Sequence, residues 1–300
     1  MGAQLRMLRR RVRSLKSMAK ITRAQELIAS SRIVKAQQRM QAAVPYEREI
    51  IRAVTGVVSN TGSIDHPLTV AKENATKAAV LIVTSDSGFC GGFNVNVLRE
   101  AEALSNLLKD KGVTPTPFVT GRKGVAWHTF RDREMGGQWT GFSRKPSYAD
   151  AKEIANALIE AFSAEDGVDE IHIVSTEFVS MLTQEVVVRR ILPLVVEETA
   201  EKTDDTPLPY FEFEPTAGDV LDSLLPRYVE SRIFTALLQS AASEEAARRR
   251  AMKSATDNAN DLIGDFTRQM NQVRQAEITQ EISEIVGGAN ALADSAAGKE

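Results

Sequence analysis

The stretch Met252 to Ala276, MKSATDNANDLIGDFTRQMNQVRQA, decides how this chain folds. Met252, Ala255, Ala259, Leu262, Phe266, Gln269, Val273 and Ala276 follow one another at alternating intervals of three and four, and only Gln269 among them is polar. That spacing is a coiled-coil seam. A four-residue offset then moves the seam to Ile278, Ile282, Ile285 and Val286, a stutter expected to unwind the supercoil locally. No proline follows Pro226, and the only glycine between it and Gly287 is Gly264. Residues 227 to 286 therefore predict one helix of about 90 Å at 1.5 Å per residue. Such a helix needs a partner to cover its stripe.

Residues 3 to 44 supply one. They contain neither Gly nor Pro, and Leu5, Leu8, Val12 and Leu15 open an apolar stripe that drifts through Met18, Ile21, Leu27 and Ile28. Two one-sided helices in one chain most simply pack antiparallel against each other. Residues 1 to 44 also carry eleven basic side chains against the single acid Glu26, while the whole chain has a net charge of −3. A basic arm on an acidic body implies an acidic partner. Taken from the residues alone, the arm could meet DNA, an anionic membrane surface or a protein with acidic loops. Its seam decays too early for a bZIP helix, and its apolar face lacks the aromatic density of an interfacial helix.

Between the helical segments, the run Lys77 to Ser85 reads as a buried strand, followed by a glycine-rich turn and a helical pattern from Val95 to Lys109. Thr116–Thr120, Glu170–Thr176 and Thr183–Ile191 read as further strands, with a helix over Tyr148–Phe162. Strand and helix alternate as in a sheet covered on its faces. Glu197 to Pro209 reads as a linker back to the helices.

Chemistry-bearing motifs are few. Ser85 to Asn94 stands where phosphate-cradling loops sit but lacks GxGxxG, and no Gly-Lys-Ser/Thr forms a Walker loop. It and Thr120–Gly124 are read as structural turns. His66, His128 and His172 lack metal-ligand spacing, and the single Cys90 excludes a disulfide framework. His172 is expected to face solvent or to be capped. No catalytic constellation, cofactor site or metal site is expected, and no apolar run is long enough for direct membrane insertion.

Four stretches nevertheless resemble a known family. The run Arg274 to Ala291, RQAEITQEISEIVGGANA, is similar to the signature of F-type ATP synthase gamma subunits, and Met252 to Asn258, MKSATDN, to a second stretch of it. Ile21–Ala24 with Ala29–Arg32, and Thr84–Asn94, TSDSGFCGGFN, add matches in the same order. The resemblance implies an α/β fold class: a long antiparallel coiled coil of N- and C-terminal helices, plus a central Rossmann-like α/β domain that binds no nucleotide. The expected boundaries are 1–60 and 210–297 for the coiled-coil helices and 75–205 for the domain. It implies a non-catalytic rotor shaft, with the α3β3 hexamer, the epsilon subunit and the c-subunit ring as partners and no nucleic acid. The expected location is the cytoplasmic face of a bacterial cell membrane, since no transit peptide precedes the helix. By motif position Arg248, Arg274, Gln275, Thr279 and Glu281 match residues the family uses against its β subunits. Arg9, Arg10, Arg23, Arg32 and Lys35 are candidates to meet acidic β segments. Gln25 departs from the methionine common at its place.

Overall fold

The computed structural model describes residues 3–61, 75–194, 214 and 216–297. His66 and the expected linker Glu197–Pro209 lie outside them. Ten elements follow in order: α1 (Ala3–Thr61), β1 (Lys77–Val83), α2 (Phe93–Asp110), β2 (Thr114–Thr120), α3 (Arg122–Thr129), β3 (Gly137–Trp139), α4 (Tyr148–Ser163), β4 (Glu170–Phe178), β5 (Gln184–Leu192) and α5 (Ala217–Ala297). They form two compact units, one of residues 1–28 and 251–300, the other of residues 29–250.

In the first unit α1 and α5 run antiparallel. The Thr22 and Thr256 hydroxyls meet at 2.7 Å, and the Arg11 guanidinium lies 5.5 Å from the Phe266 ring centre. Moving back along α1 thus moves forward along α5. The covered face of α1 follows Leu5, Leu8, Val12, Leu15, Ala19, Thr22 and Glu26, an unbroken alternation of three and four. The stripe does not drift as expected: Met18, Ile21, Leu27 and Ile28 are exposed by 55%, 62%, 57% and 44%. Small and polar residues hold the seam instead, which bulk-apolar periodicity cannot register. On α5 the covered positions are Met252, Thr256, Ala259, Ile263, Phe266, Met270, Val273 and Glu277. The anchors Met252, Ala259, Phe266 and Val273 stand as expected, but the intervening positions shift by one. Leu262, Gln269 and Ala276 are exposed where Ile263, Met270 and Glu277 are covered, while Ala255 stays half-buried beside the buried Thr256. Either choice fits anchors seven apart, and the partner's position decides between them. Ile278, Ile282, Ile285 and Val286 are exposed by 46% to 72%, so they form no stuttered seam. The register brings Leu5 opposite the region of Val273, so the residues from Ile278 on lie past the described part of α1.

In the second unit, five strands stand in the order β3-β2-β1-β4-β5, parallel except for the antiparallel β4–β5 pair. β1 is central, and its near-continuous apolar run is what burial on both faces requires. Ala79, Leu81 and Val83 enter one core with Ile154 and Leu158 of α4, Val54 and Val57 of α1, and Leu221, Leu225, Val229, Ile233 and Leu237 of α5. Ala78, Val80 and Ile82 enter the other, with Val97, Leu98, Ala101, Leu104 and Leu108 of α2. The sheet is thus covered on both sides, as the strand and helix alternation implied. α4 starts in a capping box in which Ser147 Oγ accepts from Asp150 N and Asp150 Oδ2 accepts from Ser147 N. Pro45 and Pro226 lie inside α1 and α5, so neither ends a helix. Around Pro45, Ala36 before it and Ile50 and Val54 after it are buried, and that packing outweighs the lost hydrogen bond. α3 and β3 were not expected; eight and three residues are too short to show a period.

Candidate functional site

Open parallel sheets bind ligands at the carboxyl ends of their strands, where the strand order reverses. Here that point lies between β1 and β4. The loop after β1 spends its polar groups on itself. Asn94 Oδ1 accepts from Ser85 N at 2.9 Å, Asn94 Nδ2 donates to Ser85 Oγ at 2.8 Å, and Ser85 Oγ donates to Ser87 O at 2.7 Å. Asp86 accepts backbone N–H bonds from Arg122, Gly141 and Ser143. Burial works to raise its pKa, but those bonds outweigh it and hold the carboxyl below its ordinary value. Gly121, at φ +89, lies so close to Thr84 that a Cβ would stand 2.3 Å from Thr84 O. Both glycine-rich segments are therefore turns welded to each other.

The crevice is filled by α5. Ser240 Oγ accepts from Thr176 N at the end of β4 at 3.2 Å, and Ser243 Oγ donates to Thr176 O at 3.4 Å. One turn on, Arg248 donates to Glu244 at 2.5 Å, to Glu245 at 2.7 Å and to Gly88 O at 3.4 Å. Arg144 approaches both carboxylates at 3.8 and 3.5 Å, and Arg32 approaches Glu245 at 3.9 Å. Burial pushes the Glu244 carboxyl above its ordinary range although Arg248 opposes the shift. Burial also raises the Cys90 thiol, which lies beside Ser85 and Asn94. The space left among Val83, Asp86, Gly121, Ser143, Ser240 and Glu244 is about 10 Å³. That volume suits about one water, against several hundred Å³ for a cofactor.

The residues expected to contact a partner fall into three groups. On α5 of the first unit, Arg274, Gln275, Thr279 and Glu281 are all exposed. Helical spacing sets Arg274, Ile278, Glu281 and Ile285 in one row, and Gln275, Thr279, Ile282 and Val286 in the next. They share one broad face, with Thr279 Oγ1 donating to Gln275 O at 2.9 Å. Four exposed apolar residues stand in that face, at a spacing that mimics a seam. On α1, Arg9, Arg10 and Arg23 are exposed, and Arg23 pairs with the buried Glu26 at 2.8 Å. In the second unit Lys35 is exposed and Arg32 reaches toward Glu245. Arg248 stands apart. Its side chain is 3% exposed and is spent inside this chain, so it presents no surface to a partner. Of the two alternatives for His172 the capped one holds: the ring is buried, with Nε2 2.7 Å from Glu170. Among the described residues no helix is long and apolar enough to cross a membrane, and no cluster suits a metal ion.

An antiparallel pair of long helices in one unit and, in the other, a covered α/β sheet whose ligand crevice is filled by α5 define the class of protein. The ATP synthase family profile matches residues 4–292. The ATP synthase gamma chain of Acidothermus cellulolyticus is 60% identical over 97% of this chain and 98% of its own length. That of Thermobifida fusca is 56% identical over the full length of both. A chain of the Euglena gracilis mitochondrial ATP synthase, in its OSCP/F1/c-ring assembly, superimposes with a TM-score of 0.67 over 97% of this chain and 95% of its own, at 17% identity. That likeness speaks for the fold. The chain belongs to the ATP synthase gamma chain family, which displaces the nucleic-acid reading of its basic arm.

Proposed function

We propose that this chain is the central rotor shaft of an F-type ATP synthase, coupling ion flow through a c-subunit ring to ATP synthesis at β subunits of an α3β3 hexamer. The observation that carries the reading is the exposed α5 face from Arg274 to Val286, which the described part of α1 does not cover. Exposed isoleucines beside polar side chains mark a surface made for another protein. A single asymmetric shaft inside a pseudo-threefold ring offers each β subunit a different face, and so biases each site toward a different conformation. Rotation then changes the affinities for ADP, phosphate and ATP at sites that belong to the hexamer. The epsilon subunit and the c ring complete the rotor. Attachment through the c ring places the chain peripherally on the cytoplasmic face of a bacterial cell membrane.

Within this function Arg274, Gln275, Thr279 and Glu281 meet the β subunits, and Arg9, Arg10, Arg23, Arg32 and Lys35 face acidic β segments. The test is Arg274→Glu in the assembled complex. Charge reversal is expected to reduce ATP-driven proton pumping more than it reduces assembly. Unchanged pumping overturns the site assignment, and failure of the wild-type chain to co-purify with α, β and c subunits overturns the function.

A further inference from the structure

We propose that Glu244, Glu245 and Arg248 form a torsion clamp, in which α5 sits in the α/β domain's crevice as a built-in ligand and carries mechanical load between that domain and the shaft helices. The load-bearing part rests on the rotor function; the clamp itself does not.

Four segments of the second unit converge on these three side chains. α5 contributes all three, the loop after β1 contributes Gly88 O, the loop before α4 contributes Arg144, and α1 contributes Arg32. Just upstream, Ser240 and Ser243 tie the same helix to both backbone groups of Thr176 on β4. The core beneath is apolar, with Ile233 and Leu237 against β1. Apolar contact is non-directional and tolerates sliding and twisting. A guanidinium fork between two carboxylates and a carbonyl is directional, and any rotation of α5 against the sheet breaks it.

Stability alone does not account for this arrangement. Two carboxylates and a guanidinium are removed from water, and among the described residues Glu245 Oε2 and Arg248 Nε are buried without a hydrogen-bond partner. Well-packed apolar residues generally hold a helix at least as firmly as a buried ion pair. What the charged set adds is a fixed angular register at a place where α1, α5 and two sheet loops meet.

The experiment compares Arg248→Gln and Arg248→Lys with the unsubstituted chain by two readouts. Hydrogen exchange of the full chain reports the clamp. Protection in Ser85–Asn94 and Phe142–Ser147 is expected to fall by about a hundredfold in Arg248→Gln while β1 and α4 keep theirs. Proton pumping per ATP hydrolysed, measured in membrane vesicles at equal amounts of assembled complex, reports the load. It is expected to fall several-fold in Arg248→Gln and less in Arg248→Lys, whose ammonium keeps the charge but not the fork. Unchanged loop protection overturns the clamp whatever the chain's function. Lost protection with unchanged pumping per ATP overturns its mechanical role. If Arg248→Gln does not assemble, the same two readouts on Arg248→Lys decide, with unchanged values counting against the proposal.

Discussion

The hydroxyls of Thr22 and Thr256 meet at 2.7 Å across the antiparallel pair of α1 and α5, in a seam where a bulky apolar contact would ordinarily stand. One hydroxyl donates across the seam and the other keeps its proton for its own helix, where the acceptor is Ala19 O at 3.2 Å for Thr22 or Met252 O at 2.9 Å for Thr256. The contact fixes which residues face each other. Because Cys90 is buried, cysteines introduced at Thr22 and Thr256 can be read against a quiet background. The pair Thr22→Cys with Thr256→Cys is expected to close a disulfide under mild oxidation. Thr22→Cys with Ala255→Cys is expected to close far more slowly, and equal rates would return the seam to the register expected from sequence.

Glu26 is the buried charged member of that seam on α1, 7% exposed and paired with the exposed Arg23. Replacing it with leucine removes a buried carboxylate without stranding a buried cation. Glu26→Leu should stabilise the helix pair by about 1 to 2 kcal/mol. The check is the urea midpoint of the isolated chain, which is expected to rise.

Gly121 and Gly112 both adopt positive φ, at +89 and +81, yet their surroundings differ. A Cβ on Gly121 would collide with Thr84, whereas one on Gly112 meets nothing within 4 Å. Gly112→Ala should cost about 1 kcal/mol from backbone conformation alone. Gly121→Ala should cost about 3 kcal/mol or more, because the Thr84 turn must also give way. Equal thermal shifts in the two variants would falsify the welded-turn account.

His128 is buried, with Nδ1 3.0 Å from Gly124 O, and burial holds its pKa below the ordinary 6.5. The unfolded chain therefore takes up the proton first as pH falls. Stability from this group is full above pH 6.5 and is lost as pH drops from there toward the lower folded value. Urea midpoints measured at pH above and below that range should show the loss in the unsubstituted chain and a smaller one in His128→Gln.

The sheet was legible in sequence because β1 is buried on both faces and reads as an unbroken apolar run. The four anchors Met252, Ala259, Phe266 and Val273 were legible because they are seven apart. Thr256, Glu26 and Ala19 were not, because a seam built from polar and small residues has no hydrophobic signal. Ile278 to Val286 were misread for the opposite reason: their spacing is that of a seam, but they are exposed past the described part of α1. The burial of Arg248 was also hidden. Its partners Glu244 and Glu245 stand four and three residues away on the same helix, a pattern equally usual on a solvated face.

The most direct test of the rotor account attaches a bead to this chain through a cysteine at the exposed Lys109 on α2, with the α3β3 hexamer immobilised and ATP supplied. The account predicts sustained rotation of the bead in one direction. ATP hydrolysis by the same complexes with a bead that stays in place would contradict it.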